Sequence, residues 1–197
     1  MSNPSPSGTT DFSLVPFDDS ELSQDIAIRG AIARDRGVLS VSYKLTGSLD
    51  KVVIPALNSS QSRAEKLWEE TCFELFLGAG LERAKDLLYR EFNLSPSGAW
   101  NVLTLQGYRY AVKEEPSFET LPFSVEQTDD ELMVKADIDI SSLVEASQPI
   151  RLGVSAVLLV KDAAGETQET FWAIRHPASQ PDFHHPNSFA LSLQPSS

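Results

Sequence analysis

Cysteine is almost absent from these 197 residues: Cys72 stands alone. A lone thiol excludes an intramolecular disulfide and any cysteine-rich zinc site. Positive charge is also short. Lys and Arg total 16 against 28 Asp and Glu, a net charge of −12. So acidic a chain repels phosphate backbones and anionic lipid, so neither nucleic acid nor a membrane is an expected partner. No apolar run approaches the roughly 18 residues of a membrane-spanning helix. Neither a Gly-rich phosphate loop nor a Gly-x-Ser-x-Gly nucleophile elbow occurs. The first ten residues, MSNPSPSGTT, have no basic segment followed by an apolar one. They do not read as a secretory signal, and the cytoplasm is the expected location.

What is present suffices for a core, with 41% hydrophobic and 22% charged residues. Residues 1–10 read as a disordered Ser/Pro-rich tail, 11–194 as one domain and 195–197 as a frayed end. The dominant period is two. Strands are expected over Ile26–Ala33, Val38–Leu45, Lys51–Ile54, Thr71–Leu77, Tyr89–Leu94 and Trp100–Gln106. Further strands follow at Val125–Gln127, Glu131–Ile140, Ile150–Val160, Glu169–Ile174 and Ser188–Leu193. Ser62–Trp68 and Leu81–Leu88 could each hold a turn or two of helix. Many short strands with few helices between them predict an all-β fold, an antiparallel sandwich or jelly roll.

Alternation sorts the faces of these strands. Phe73, Leu75, Phe92, Leu94, Leu103 and Leu105 are assigned to the core. The Ser95–Gly98 turn is read as placing Asn93 opposite Trp100. The opposite face then collects Cys72, Glu74, Phe76, Tyr89, Glu91, Asn93 and Trp100. An ordinary solvated sheet face is the plain alternative. Aromatics beside carboxylates and amides, however, suit a sugar: rings stack on its C–H faces while Glu and Asn bond its hydroxyls.

The same residues carry a family likeness. Leu67-Trp-Glu-Glu-Thr-Cys-Phe-Glu-Leu-Phe-Leu77 precedes Tyr89-Arg-Glu-Phe-Asn-Leu-Ser-Pro-Ser-Gly-Ala-Trp100. Gly107-Tyr-Arg109 and Pro181-Asp-Phe-His-His-Pro-Asn-Ser-Phe189 follow. From Trp68 to Phe189 the chain resembles the DOMON-like proteins related to family 9 carbohydrate-binding modules. The resemblance implies a jelly-roll-like β-sandwich that binds sugar or haem on one sheet face. In family 9 modules two tryptophans clamp a terminal sugar, and the reading adopted here is a non-catalytic binding module of that kind. Trp100 and Trp172 are the candidates here, with Trp68 next. Tyr89, Glu91, Asn93, Glu74, Arg109, Asp182 and His184 complete the expected ligand-binding set, with no cofactor in that reading.

Sharper chemistry has weaker footing. Haem would need an axial Met, His or Lys in a dry pocket, and Met133 is the only methionine beyond Met1. His176, Asp182 and His184 are the one candidate metal set, although prolines 177, 181 and 186 make that segment a stiff loop. Glu74 and Glu91 could serve glycoside hydrolysis if they meet across neighbouring strands. The residues favour a binding module over an enzyme.

Overall fold

The structure, a computed structural model, describes residues 8–79 and 88–195. It is a β-sandwich of two layers in which every described strand pair but one is antiparallel. The front layer runs, in spatial order, β4 (Ser62–Arg63), β7 (Ala99–Gln106), β6 (Leu88–Leu94), β5 (Cys72–Ala79), β11 (Ile150–Lys161) and β12 (Thr167–Ala173). The short β8 (Lys113–Glu114) adds to β7, and β13 (Leu191–Leu193) to β11. The back layer is β2 (Ile26–Asp35), β3 (Val38–Gly47), β10 (Glu131–Asp139) and β9 (Phe123–Gln127). β1 (Thr10–Pro16) joins them: Thr10–Leu14 pair with β2, whereas Val15 and Pro16 pair with β12.

The core lies between the layers. β5 contributes Phe73, Leu75 and Leu77, and β6 contributes Phe92 and Leu94. They face Val41, Tyr43 and Leu45 of β3 and Val134 and Ile138 of β10. One polar tie crosses this apolar space: the buried Tyr43 hydroxyl donates to the Glu74 carbonyl at 2.8 Å. β11 is apolar almost throughout because β5 and β12 flank it and both its faces are covered.

Most expected strands are present, and the departures have local causes. Lys51–Ile54 forms no ladder. A 3-10 turn spans Leu49–Lys51, Val52 makes a single bridge to Val160, and Pro55 cannot extend it. β1 was not expected, because its alternation rests on only two inward residues, Phe12 and Leu14. Thr10 therefore belongs to a strand rather than to a tail, while residues 1–7 lie outside the described residues. Ser62–Trp68 yields a two-residue strand and a 3-10 turn over Leu67–Glu69 rather than helix. The other expected helical turn lies, over 81–87, outside the described residues, as do 196–197 at the expected frayed end. Ser188–Leu193 narrows to β13, preceded by a 3-10 turn at Pro186–Ser188.

The consequential departure is the register of the β6–β7 hairpin. Ser95 N–H donates to the Ala99 carbonyl, so the loop proper is Pro96-Ser97-Gly98, with Gly98 at φ +88°. A three-residue loop ending in a left-handed glycine pairs Leu94 with Trp100 and Glu91 with Leu103. The expected pairing of Asn93 with Trp100 is off by one, and one residue inverts a strand's faces. Trp100 and Val102 therefore sit in the core, and Leu103 and Leu105 face outward onto Phe76, Tyr89 and Phe189. Trp100 is 3% exposed, with the Arg63 guanidinium 4.5 Å from its ring centroid.

This placement makes Trp100→Ala a core deletion, with an expected loss of about 3–5 kcal/mol in denaturant unfolding. A loss below about 1 kcal/mol would place the indole outside the core.

Candidate functional site

The outer face of the front layer is largely covered, and a cleft remains in it. Register dictates its floor. Glu74 of β5 pairs with Asn93 of β6 and with Ser155 of β11, and Phe76 pairs with Glu91. Glu74 and Glu91 are thus diagonal neighbours on one face, where such pairs stand about 7–8 Å apart. Leu103 and Leu105 of β7 and Val157 of β11 complete the floor. β12 raises Glu169 and Phe171 along one side. The cavity encloses about 340 Å³.

A strap, residues 175–190, and the β7–β8 loop form the rest of the wall. Phe189 and Phe76 pack edge-on at 6.1 Å between ring centroids, Phe189 and Tyr89 at 5.6 Å. Phe183 lies 6.2 Å from Phe171. Asp182 knots strap to loop. Its carboxylate accepts the Tyr108 hydroxyl at 2.6 Å, Arg109 Nη2 at 3.3 Å and the backbone N–H of His184 at 3.2 Å. Its carbonyl accepts the Ser188 hydroxyl at 2.8 Å. The loop turns sharply, with Arg109 at φ +53° and Ala111 at +49°, which brings Arg109 and Val112 to the cleft. Trp68, 40% exposed, closes the other flank from its 3-10 turn.

Burial controls the charge state of this site. Glu74 is 3% exposed and Glu91 5%. Desolvation lifts the Glu74 carboxyl well above the usual carboxylate range, and the charge of Glu91 lifts it further. A Ser155 hydroxyl at 3.3 Å and the field of Arg109 offset only part of this. Glu91 is raised as well, chiefly by burial, against an Asn93 Nδ2 donor at 2.8 Å and Arg109. His184 moves the other way, down to about 4, by burial first and then by Arg109. Its imidazole is therefore neutral at pH 7.

The Tyr89 hydroxyl accepts the Arg109 backbone N–H at 3.4 Å and shares a hydrogen bond with His184 Nδ1 at 2.8 Å. His184 Nε2 faces Glu91 Oε2 at 3.9 Å. With a neutral imidazole that contact is no ion pair. Tyr89 itself is pushed up to about 12, mainly by burial, and stays protonated.

Of the expected ligand-binding residues, Trp68, Glu74, Glu91, Arg109 and His184 line the cleft. Tyr89, Asn93 and Asp182 stand behind them, bonded to His184, Glu91 and Arg109 respectively. Trp100 and Trp172 do not reach it, which corrects the expected clamp. Trp172 is 2% exposed and its Nε1 donates to Thr170 Oγ1 at 2.9 Å inside the core. Glu169, Phe171, Phe183 and Val112 were missed. Alternation against a buried Trp172 would have exposed Phe171 and Glu169.

For a haem the cleft offers one candidate axial ligand: His184 is the single His, Met or Lys in its lining, and its Nδ1 is tied to Tyr89. Met133 pairs with Lys44 and Glu126 in the back layer. Among the described residues no group of three His, Cys, Asp or Glu side chains is placed to hold a metal ion. His176 Nε2 instead bonds the Val15 carbonyl at 2.9 Å.

Two opposite pH dependences follow. The folded value of His184, about 4 against an ordinary 6.5, favours the folded state above pH 6.5. That contribution, about 3 kcal/mol or less, is lost as pH falls through 4. His184→Phe should flatten this acid loss in melts across the window. Glu74 has the reverse sign: a raised carboxyl favours folding below its unfolded value and costs stability as pH rises through its folded one. Glu74→Gln should therefore raise the melting temperature more near pH 8 than near pH 5. An equal shift at both would mean that Glu74 is not strained by its charge.

No family model matches the chain, and no curated protein matches it. Among solved structures it is similar to a candidate carbohydrate-binding protein from Bacteroides uniformis ATCC 8492. The TM-score is 0.53 at 12% identity, over 89% of this chain and 83% of that one. It is also similar to a family 9 carbohydrate-binding module from Caldicellulosiruptor kristjanssonii in two complexes. With cellotriose the TM-score is 0.47 at 13% identity, over 83% of this chain and 72% of that one. With glucose it is 0.46 at 12% identity, over 80% and 69%. At such identity the Bacteroides structure establishes a shared β-sandwich fold.

Proposed function

We propose that this chain is a non-catalytic carbohydrate-binding domain, a DOMON-like relative of family 9 modules, holding a small sugar in the cleft described above. One observation carries the reading. A half-exposed indole, Trp68, stands beside a cavity of about 340 Å³ whose polar lining is carboxylates, a guanidinium and an imidazole. A pyranose needs that combination: a flat apolar flank for its C–H face, and acceptors and donors for its hydroxyls. The size lies at the lower end for small-molecule sites, so one or two sugar rings fill it. The Bacteroides structure, a candidate carbohydrate-binding protein, shares the fold, and the motif likeness points the same way.

Glycoside hydrolysis is the second reading, and the buried Glu74–Glu91 pair favours it. Such chemistry sets one carboxylic acid against one ionised carboxylate across the scissile bond. Here Asn93 Nδ2 holds Glu91 Oε1, and both acids stand on the floor formed by neighbouring strands rather than on opposite walls. Binding without turnover is therefore the expected outcome.

Titration with glucose and cellobiose, followed by calorimetry and indole fluorescence, tests this. Trp100 and Trp172 are buried, so a ligand-induced change in emission should vanish in Trp68→Phe. Trp68→Ala should weaken binding about tenfold while changing stability by no more than about 0.5 kcal/mol. No saturable response to any neutral or charged mono- or disaccharide would end the carbohydrate reading. Reducing ends released from the disaccharide would replace it with the hydrolase.

A further inference from the structure

The cleft gathers more acidic groups than basic ones, and burial drives Glu74 and Glu91 toward their protonated forms unless a cation holds them ionised. Glu74, Glu91 and Glu169 all line it. Its one guanidinium, Arg109, is 52% exposed and already pairs with Asp182. Its one imidazole is neutral. Among the described residues, the only basic nitrogen within ion-pair distance of Glu74 or Glu91 is His184 Nε2, at 3.9 Å from Glu91.

The oxygens are also aimed. Glu91 Oε1 takes the Asn93 donor and Glu74 Oε2 the Ser155 hydroxyl. Among the described residues no sealed side-chain polar atom lacks a hydrogen bond. Glu74 Oε1 and Glu91 Oε2, which have none, are therefore not sealed, and both residues line the cleft.

We propose that the ligand is an amino sugar, its ammonium seated between the free oxygens of Glu74 and Glu91 and its ring against Trp68. The inference rests on the carbohydrate reading and narrows it to a cationic class. A ligand that fills the cleft strips the last water from both carboxylates. A neutral hydroxyl gives each oxygen a hydrogen bond but leaves the buried acids to take up protons, whereas a cation holds them ionised. An ammonium supplies three donors and the missing charge, in bonds about twice as strong as neutral ones.

The test is calorimetric titration of the full chain near neutral pH with D-glucosamine, N-acetyl-D-glucosamine, D-glucose and cyclohexylamine. Glucosamine should bind at least about tenfold tighter than glucose or its N-acetylated form. Raising the salt should weaken glucosamine and leave glucose unchanged. Glu74→Gln should shrink the preference to about threefold or less. Glucose or the N-acetyl sugar binding as tightly as glucosamine overturns the amino-sugar assignment and leaves the carbohydrate reading standing. Cyclohexylamine matching glucosamine overturns both, because the site would then read a cation without a sugar. No binding by any of the four also overturns both. If Glu74→Gln does not fold, the wild-type ranking and its salt dependence decide the matter.

Discussion

Gly98 in the left-handed region closes the β6–β7 hairpin with three loop residues, and that count decides which side chains the cleft receives. Leu94 then faces Trp100, so both enter the core, and Glu91 faces Leu103 on the other side. A side chain at position 98 would be strained whatever space surrounds it, because φ is +88°. With one residue more or fewer, the indole of Trp100 would stand on the outer face, and Leu103 and Leu105 would leave the floor on which Phe189 packs. The core and the cleft are thus two faces of the same register.

The front layer is unusual in being buried on both sides, with a different chemistry on each. Its inner face is apolar and meets the back layer through residues such as Phe73, Leu75 and Phe92. Its outer face carries Glu74, Glu91 and Asn93 under a strap held by aromatic packing and by the Asp182 knot. Two acids beneath such a cover are expensive, and their raised affinity for protons measures that cost. Groups kept at a loss to stability are characteristic of sites that act on something else. The strap does two jobs. It lowers the dielectric around the acids, and it supplies His184, whose neutral ring bonds Tyr89 and faces Glu91 at 3.9 Å.

Much was legible in the residues alone. Period-two alternation marks most of the strands, and turn chemistry marks the hairpins, because both depend on neighbours a few positions away. The co-facial set Cys72, Glu74, Phe76, Tyr89, Glu91 and Asn93 follows from the same alternation and is present as read. The lone cysteine and the acid excess, being composition, needed no structure. What failed did so where a local rule had two solutions: a four-residue turn and a three-residue loop share the letters Ser-Pro-Ser-Gly, and they put Trp100 on opposite faces.

Other features belong to contacts distant in the chain, which no local pattern encodes. Nothing in the order of residues says that 175–190 lies over β5 and β6, or that Asp182 meets Tyr108 and Arg109 some 70 positions earlier. The sequence by itself determined the strands, their polarity and the two carboxylates on one face, since side chains alternate wherever a backbone is extended. Only the tertiary structure decided that this face is covered, that Trp68 rather than Trp100 or Trp172 flanks the opening, and that the acids are dry enough for their charge to matter. Burial is a property of what packs on top, and here that is the distant end of the chain.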